Sequence, residues 1–276
     1  MGILFKVPNI LDNSIAYNDC WAMKAEISTI YRYPVKGLSP EILTAAKVDV
    51  GGALPRDRGF ALALGSTRFD GATPHWLPKS SFLALVKNEK LAALETVFDD
   101  ESGDLQILRG GKQVAHGKLT DPIGRAVIED FFSAYMHDES RGKPRLVEAK
   151  GETIFTDQKK KVLSIINLAS IRDLERVVGK SIDPVRFRGN IYIDGVDPWS
   201  EFNWVDKDVQ CGSAGLHITE RIGRCAAINV DPVTGERNMN LVKSLQEGFS
   251  HRDLGIFATV SQAGSFTPGD TLKVID

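Results

Sequence analysis

Cysteine is scarce in this chain. Cys20, Cys211 and Cys225 are the only three, an odd number without a close pair, which argues against a disulfide framework and for a reducing compartment. No C-x-x-C or H-E-x-x-H spacing occurs, so the usual zinc sites are excluded. A G-x-x-x-x-G-K-[ST] phosphate loop and a G-x-S-x-G nucleophile elbow are also missing. No apolar run approaches the ~18 residues needed to span a bilayer. Neither charge sign dominates: 34 Lys and Arg face 36 Asp and Glu, a net charge of -2. That balance excludes a global basic field for nucleic acid or an anionic membrane and leaves only local basic sites. The segment Met1–Ala22 lacks a clean period and the apolar core of a secretory signal. It reads as an extension before Met23, and the expected location is cytoplasmic. Internal repeats and low-complexity tracts are absent too.

What is present is an ordinary globular mixture, 42% hydrophobic and 25% charged over 276 residues, enough for one large domain or two modest ones. From Lys24 to Tyr33 residues alternate, with Ala25, Ile27, Thr29, Tyr31 and Tyr33 on one face, which predicts a half-buried strand. Strands are expected to end at Val48–Val50, before Gly51-Gly52, and to run over Phe60–Leu64, Lys90–Phe98, Leu105–Leu108 and Gln113–Ala115, with Gly-rich turns between them. Asp121-Pro122 opens a helix, with Ile123, Val127, Phe131 and Tyr135 at helical spacing. After the strand Val162–Ile166, Asn167 caps a helix whose face is Leu168, Ile171, Leu174 and Val178, and Gly179 ends it. Further strands are expected at Asn190–Ile193, Leu216–Thr219, Arg224–Asn229, Phe257–Val260 and Leu272–Ile275, with a short helix over Asn238–Gln246. The fold class is mainly β with a few helices (α+β): an N-terminal β-barrel-like domain over residues 23–118, then a β-barrel domain over 119–276, behind the 1–22 extension.

Positive charge concentrates beside turn residues in four segments: Arg32–Gly37, Pro55–Gly59, Asp183–Asn190 and Arg221–Cys225. Singly, each reads as a solvated face paired with carboxylates. Together they predict a site for a small, phosphate-bearing anion, because arginine grips phosphate bidentately and glycine lets backbone amides approach. Cys225 has two readings, a small buried hydrophobe or a thiolate favoured by Arg221 and Arg224, suited to a soft or high-valent metal. Cys211, His217 and Cys225 are too loosely spaced to predict a metal cluster. The five histidines, His75, His116, His137, His217 and His251, read as surface or core residues.

Arg224-Cys225 followed by Asn229-Val230-Asp231-Pro232-Val233-Thr234-Gly235 resembles the signature of MOSC-domain proteins, the C-terminal domains of molybdenum-cofactor sulfurases and the mitochondrial amidoxime-reducing components. Tyr33-Pro34-Val35-Lys36-Gly37 and Arg56-Asp57-Arg58-Gly59-Phe60 resemble motifs of the β-barrel that precedes MOSC in that family. Arg186-Phe187-Arg188-Gly189-Asn190-Ile191 is similar to its R-F-R-x-N stretch. The likeness runs from about Lys24 to the C-terminus. It implies that Cys225 coordinates molybdenum and that Lys36, Arg58, Arg186, Arg188, Asn190 and Arg224 hold the pterin and phosphate of the molybdenum cofactor (molybdopterin). Asp231 has two readings, a proton donor near the metal and a structural residue of the turn. The implied activity is reduction of N-hydroxylated small molecules. Electrons would come from a separate donor protein or reductase, since no ferredoxin-type cysteine cluster or flavin fingerprint is visible. Gly37 replaces a serine of the relatives, Lys160 and Lys161 stand about where the relatives carry a Thr-Ser pair, Phe257 replaces a tyrosine, and Ile228-Asn229 a threonine pair. Two alternatives remain: a sulfur or cofactor carrier that uses Cys225, and a non-enzymatic β domain for another phosphorylated ligand.

Overall fold

The computed structural model describes residues 24–69, 76–151 and 153–275. The 1–22 extension, Cys20 and His75 lie outside them. The first part of the chain forms β1 (Ala25–Arg32), β2 (Glu41–Leu43), β3 (Ala46–Val48), β4 (Phe60–Ala63), β5 (Glu95–Phe98), β6 (Asp104–Arg109), β7 (Lys112–Lys118), α1 (Pro122–Met136) and β8 (Arg145–Glu148). The second part forms β9 (Leu163–Asn167), α2 (Leu168–Val178), β10 (Ile191–Asp194), β11 (Asp208–Cys211), β12 (Ala214–Gly223), α3 (Leu241–Phe249), β13 (Asp253–Gln262), β14 (Gly264–Phe266) and β15 (Thr271–Ile275). The described residues are mostly β with three α-helices. No helix among the described residues is long and apolar enough to cross a membrane.

Seven strands close a barrel in the order β10-β9-β13-β12-β11-β15-β1, and β1 returns to β10. All ladders are antiparallel except β9–β10. That parallel pair follows from the chain between the strands, because parallel neighbours need a crossover and α2 supplies it. Asn167 starts the helix by accepting the Ala169 N–H on Oδ1, and Gly179 ends it at φ 71°. Residues of β9 are buried throughout. The strand feeds the barrel interior with Leu163 and Ile165, while Ile166 joins Ile171, Leu174, Leu241 and Leu245 under α2 and α3.

A second core gathers around β4–β8, the antiparallel sheet β5-β6-β7, and α1. β4 is buried on both faces: Phe60 and Leu62 enter this core, and Ala61 and Ala63 pack on Phe82, Val147 and Phe155. The cores thus sort the chain differently from a division at 118/119. β1 closes the later barrel, and α1 and β8 pack with the earlier strands.

Several sequence expectations need correction. In β1 the alternation breaks at a bulge between Ile27 and Thr29, so Ile30, not Thr29, is fully buried. An inserted residue switches the inward face. The apolar stripe read for α1 is its flank: Ile123 is 77% exposed, and Ile128, Phe132 and Met136 form the buried face. Residues 89–93 form a 3-10 turn before β5, and Arg224–Asn229 is not a strand, since Ala226–Asn229 turns in a 3-10 helix. β2, β8, β11 and β14 were not anticipated, being strands of three or four residues.

The α1 assignment is testable by urea unfolding. Phe132→Ala is expected to destabilise by about 3–5 kcal/mol, and Ile123→Ala by no more than about 0.5 kcal/mol. Equal losses would mean that the helix is rotated.

Candidate active site

A cleft of about 320 Å³ opens where the barrel meets the earlier strands. The barrel side contributes Arg188 and Asn190 before β10, Ser164 of β9, Phe257 of β13, the end of β12 and the turn that carries Cys225. The other side contributes Lys36, Gly37, Arg58 and Lys79, and the β8–β9 connection adds Thr156, Asp157 and Gln158. Seven lining cations face two carboxylates, Asp157 and Glu220. The cleft is therefore a local positive field in a chain without one overall.

Tyr33 anchors the basic wall. Its ring is fully buried, and the guanidinium carbons of Arg58 and Arg188 lie 4.4 and 4.2 Å from its centroid. Buried Asp57 sets this up by accepting the Tyr33 N–H at 2.9 Å and Arg58 Nη1 at 2.5 Å. Arg58 Nη2 then reaches the Arg188 carbonyl at 2.8 Å and locks the two arginines together. Both adopt left-handed backbone, φ 48° and 51°, a region that costs a non-glycine residue roughly 1–2 kcal/mol. Such strain marks positions where the side chain itself is needed. Gly189 follows because an added Cβ would collide with Ile166. Burial pulls Arg188 down to about 10 and pushes Tyr33 up to about 12. Among the described residues nothing accepts a hydrogen bond from the Arg188 guanidinium, and its buried Nη2 is unpartnered. An unpaired buried guanidinium is costly, so this wall is built for an anion.

Not every residue singled out in the sequence is free to hold a ligand. Arg186 binds the Asn229 carbonyl, Asp231 Oδ2 and Asn238 Oδ1. Arg224 donates to the carbonyls of Leu254 and Phe187 and ties the start of β13 to the 3-10 turn before β10, while burial lowers it to about 10. Asn190 is 2% exposed and acts as a staple, its Oδ1 accepting from Ser164 and its Nδ2 donating to the Tyr31 carbonyl. Asp231 does not line the cleft. Its Oδ1 accepts the N–H groups of Val233 and Thr234. Burial raises its pKa, but these amides, Asn238 and Arg186 outweigh that and hold it at about 2. It is a turn-capping carboxylate that stays ionised, not a proton donor.

Cys225 lines the cleft, partly exposed, while Cys211 lies buried in the barrel, where burial pushes its thiol up to about 12. Lys79 and Arg224 both interact electrostatically with Cys225. Arg221 instead lies 4.4 Å from the Phe202 ring centroid. Asp157 bridges Lys79 at 3.1 Å and Lys36 at 2.8 Å, and Lys36 also donates to the Phe155 carbonyl. Lys160 and Lys161 do not line the cleft, and Lys161 reaches back to the Gly151 carbonyl. Lys79 and Asp157 escaped the sequence reading because neither sits in a recognisable motif. Among the described residues no cluster of three or more His, Cys, Asp or Glu forms a metal cage.

Residues 150–273 match the MOSC domain family. Over that stretch the chain is similar to a MOSC domain. Molybdenum cofactor sulfurase from Caenorhabditis briggsae is 27% identical over 131 residues, 47% of this chain and 18% of that protein. The Caenorhabditis elegans sulfurase is 27% identical over 111 residues, 40% of this chain and 15% of that protein. The chain thus spans less than a fifth of the length of these curated relatives. Among solved structures, the YUAD protein from Bacillus subtilis superposes with a TM-score of 0.44 at 12% identity, covering 91% of this chain and 96% of that one. YiiM from Escherichia coli gives 0.33 at 15% identity, over 41% and 54%.

Within the MOSC-like stretch, Asp231 gives a pH test. Because its folded pKa of about 2 lies below the unfolded ~3.9, it stabilises above the unfolded value, and the benefit fades as pH falls from one toward the other. Asp231→Asn is expected to lower the urea midpoint at neutral pH and to narrow its deficit below pH ~4. A deficit constant with pH would show that the charge plays no part.

Proposed function

We propose that this protein binds the molybdenum cofactor in the basic cleft and works as an oxidoreductase on N-hydroxylated small molecules, with electrons from a separate donor protein. The observation that carries the reading is the unpartnered Arg188 guanidinium, stacked with Arg58 on Tyr33, in the same cleft as the partly exposed Cys225. The residues fit such a group. A cleft of about 320 Å³ lies within the ~300–1,000 Å³ typical of small-ligand sites. Thiolates suit high-valent metal centres, and arginine suits phosphate. The likeness of the MOSC region to molybdenum cofactor sulfurases supports the cofactor class.

In this reading Arg58 and Arg188 hold the phosphate, and Cys225 Sγ is the single protein ligand to the metal. The bound cofactor supplies two-electron redox chemistry, which the protein orients and shields from water. Reduction of an N–OH group consumes two electrons and two protons, breaks the N–O bond and releases water. Lys79 Nζ, held by Asp157, keeps a proton donor beside the sulfur. Asn190, Arg186 and Arg224 keep the frame rigid and leave ligand contact to the other cations. Phe257 offers the substrate an apolar wall.

Molybdenum and pterin analysis of protein from a cofactor-producing host tests this. Near-stoichiometric metal in the wild type, lost in Cys225→Ser, is expected, as is amidoxime reduction with a chemical electron donor. Arg188→Ala should weaken cofactor binding by about 1.5–3 kcal/mol, the value of a charged hydrogen bond. Sulfane sulfur on Cys225 without metal would favour a sulfur carrier. Neither metal nor sulfur would favour a non-enzymatic binding domain.

A further inference from the structure

β12 carries a bulge where it passes the cleft. Ile218 pairs with Ala258 and Glu220 with Phe257, and Thr219 is the extra residue between them. Such an insertion re-aims the side chains beyond it. Ile218 and Ala258 belong to the barrel core, so unbroken alternation would turn Glu220 toward that core. The bulge instead sets Glu220 opposite Phe257, and Phe257 in turn lies opposite Ser164 of β9. Directly opposed residues of antiparallel strands share a face. Glu220, Phe257 and Ser164 therefore form one row across three strands, and all three line the cleft. Arg221 pairs with Ile256 of the barrel core and lies over the Phe202 ring, so the neighbouring cation is drawn to the other face. The row has one uncommitted polar group. Ser164 Oγ donates to Asn190 Oδ1 and accepts the Asn190 N–H. Asp157, the other carboxylate of the cleft, is held by Lys36 and Lys79. Glu220 is exposed to the cleft and has no hydrogen bond or ion pair among the described residues.

We propose that Glu220 and Phe257 form the substrate-selecting subsite of the cleft and favour compounds that carry a positive charge on a planar group. A cation gains from both residues. The carboxylate attracts its charge and accepts two parallel N–H bonds from a flat amidinium, and the ring attracts a cation through the negative charge on its face. The rest of the cleft does not cancel this preference. Its positive charge concentrates on the Tyr33 wall, where Arg58 and Arg188 stack, and a bound phosphate would offset it there. Lys36 and Lys79 are already offset by Asp157. The inference rests on the proposed function for its reaction, and it narrows the N-hydroxylated substrates to cationic ones. The subsite itself is made by this chain alone. Selection is a difference of affinities, so the relevant quantity is the ratio between a cation and its neutral counterpart.

Benzamidine and benzamide are the probes, a planar cation and its neutral isostere. Calorimetric titration of protein from a cofactor-producing host is expected to show benzamidine roughly 10-fold tighter, the size of one charged hydrogen bond. Glu220→Gln keeps the shape of an exposed side chain and should bring the ratio to near one. Phe257→Leu keeps an apolar wall and should weaken benzamidine. A ratio that Glu220→Gln leaves unchanged overturns the proposal, as does a wild type that binds benzamide as tightly as benzamidine. Titration needs no turnover, so protein without molybdenum and without N–OH reduction would defeat the proposed function while the titration still decides on the subsite. With the metal present, the kcat/KM of para-aminomethyl benzamidoxime relative to para-methyl benzamidoxime should fall in Glu220→Gln by a like factor. Reduction that proceeds with that ratio unchanged would keep the proposed function and overturn the subsite.

Discussion

The pairing of β1 with both β10 and β15 is the constraint on which the rest of the molecule depends. Without it the barrel has open edges and unpaired backbone groups. Closure also fixes where the chain leaves the barrel. Tyr33 lies at that exit, and the Asn190 side chain reinforces it by joining Ser164 of β9 to the Tyr31 carbonyl. The earlier strands are thereby held against the barrel mouth, so Arg58 and Lys79 from one core meet Arg188 and Cys225 from the other.

The cations near the cleft divide into two kinds. Arg186 has engaged its Nη atoms with the Asn229 carbonyl, Asp231 and Asn238, Arg224 donates to the carbonyls of Leu254 and Phe187, and both hold loop ends in place. Arg58 and Arg188 stack on Tyr33 and are strained in the backbone, and Arg188 is unsatisfied. The difference matters because burying a guanidinium is expensive unless something pays that cost. For the first kind the protein itself does. In the second, Asp57 compensates Arg58, while Arg188 keeps an unpartnered donor, as the proposed binding site requires.

Much of the fold was legible locally. The α2 cap at Asn167, its Gly179 terminus, the Asp121-Pro122 start of α1 and the barrel strands other than β11 follow from short-range rules of capping and alternation. The reading failed where tertiary context overrode them. The β1 bulge shifted the inward face, α1 buried the stripe beside its most apparent one, and Cys225 begins a 3-10 turn because Arg224 is pulled aside to clamp Leu254 and Phe187.

The motifs alone named Lys36, Arg58, Arg188 and Cys225, since basic residues next to glycine and a cysteine beside arginine carry a chemical meaning wherever they fold. Which cations remain free for a ligand was decided only by the packed structure. Arg186 and Arg188 are two residues apart and alike in type, yet one holds Asp231 and the other stacks on Tyr33. The choice turns on burial and on partners from 33, 58 and 231, distant positions whose approach is a property of barrel closure and of no local pattern. For the same reason Lys79 and Asp157, without a motif of their own, entered the site only when the two cores came together.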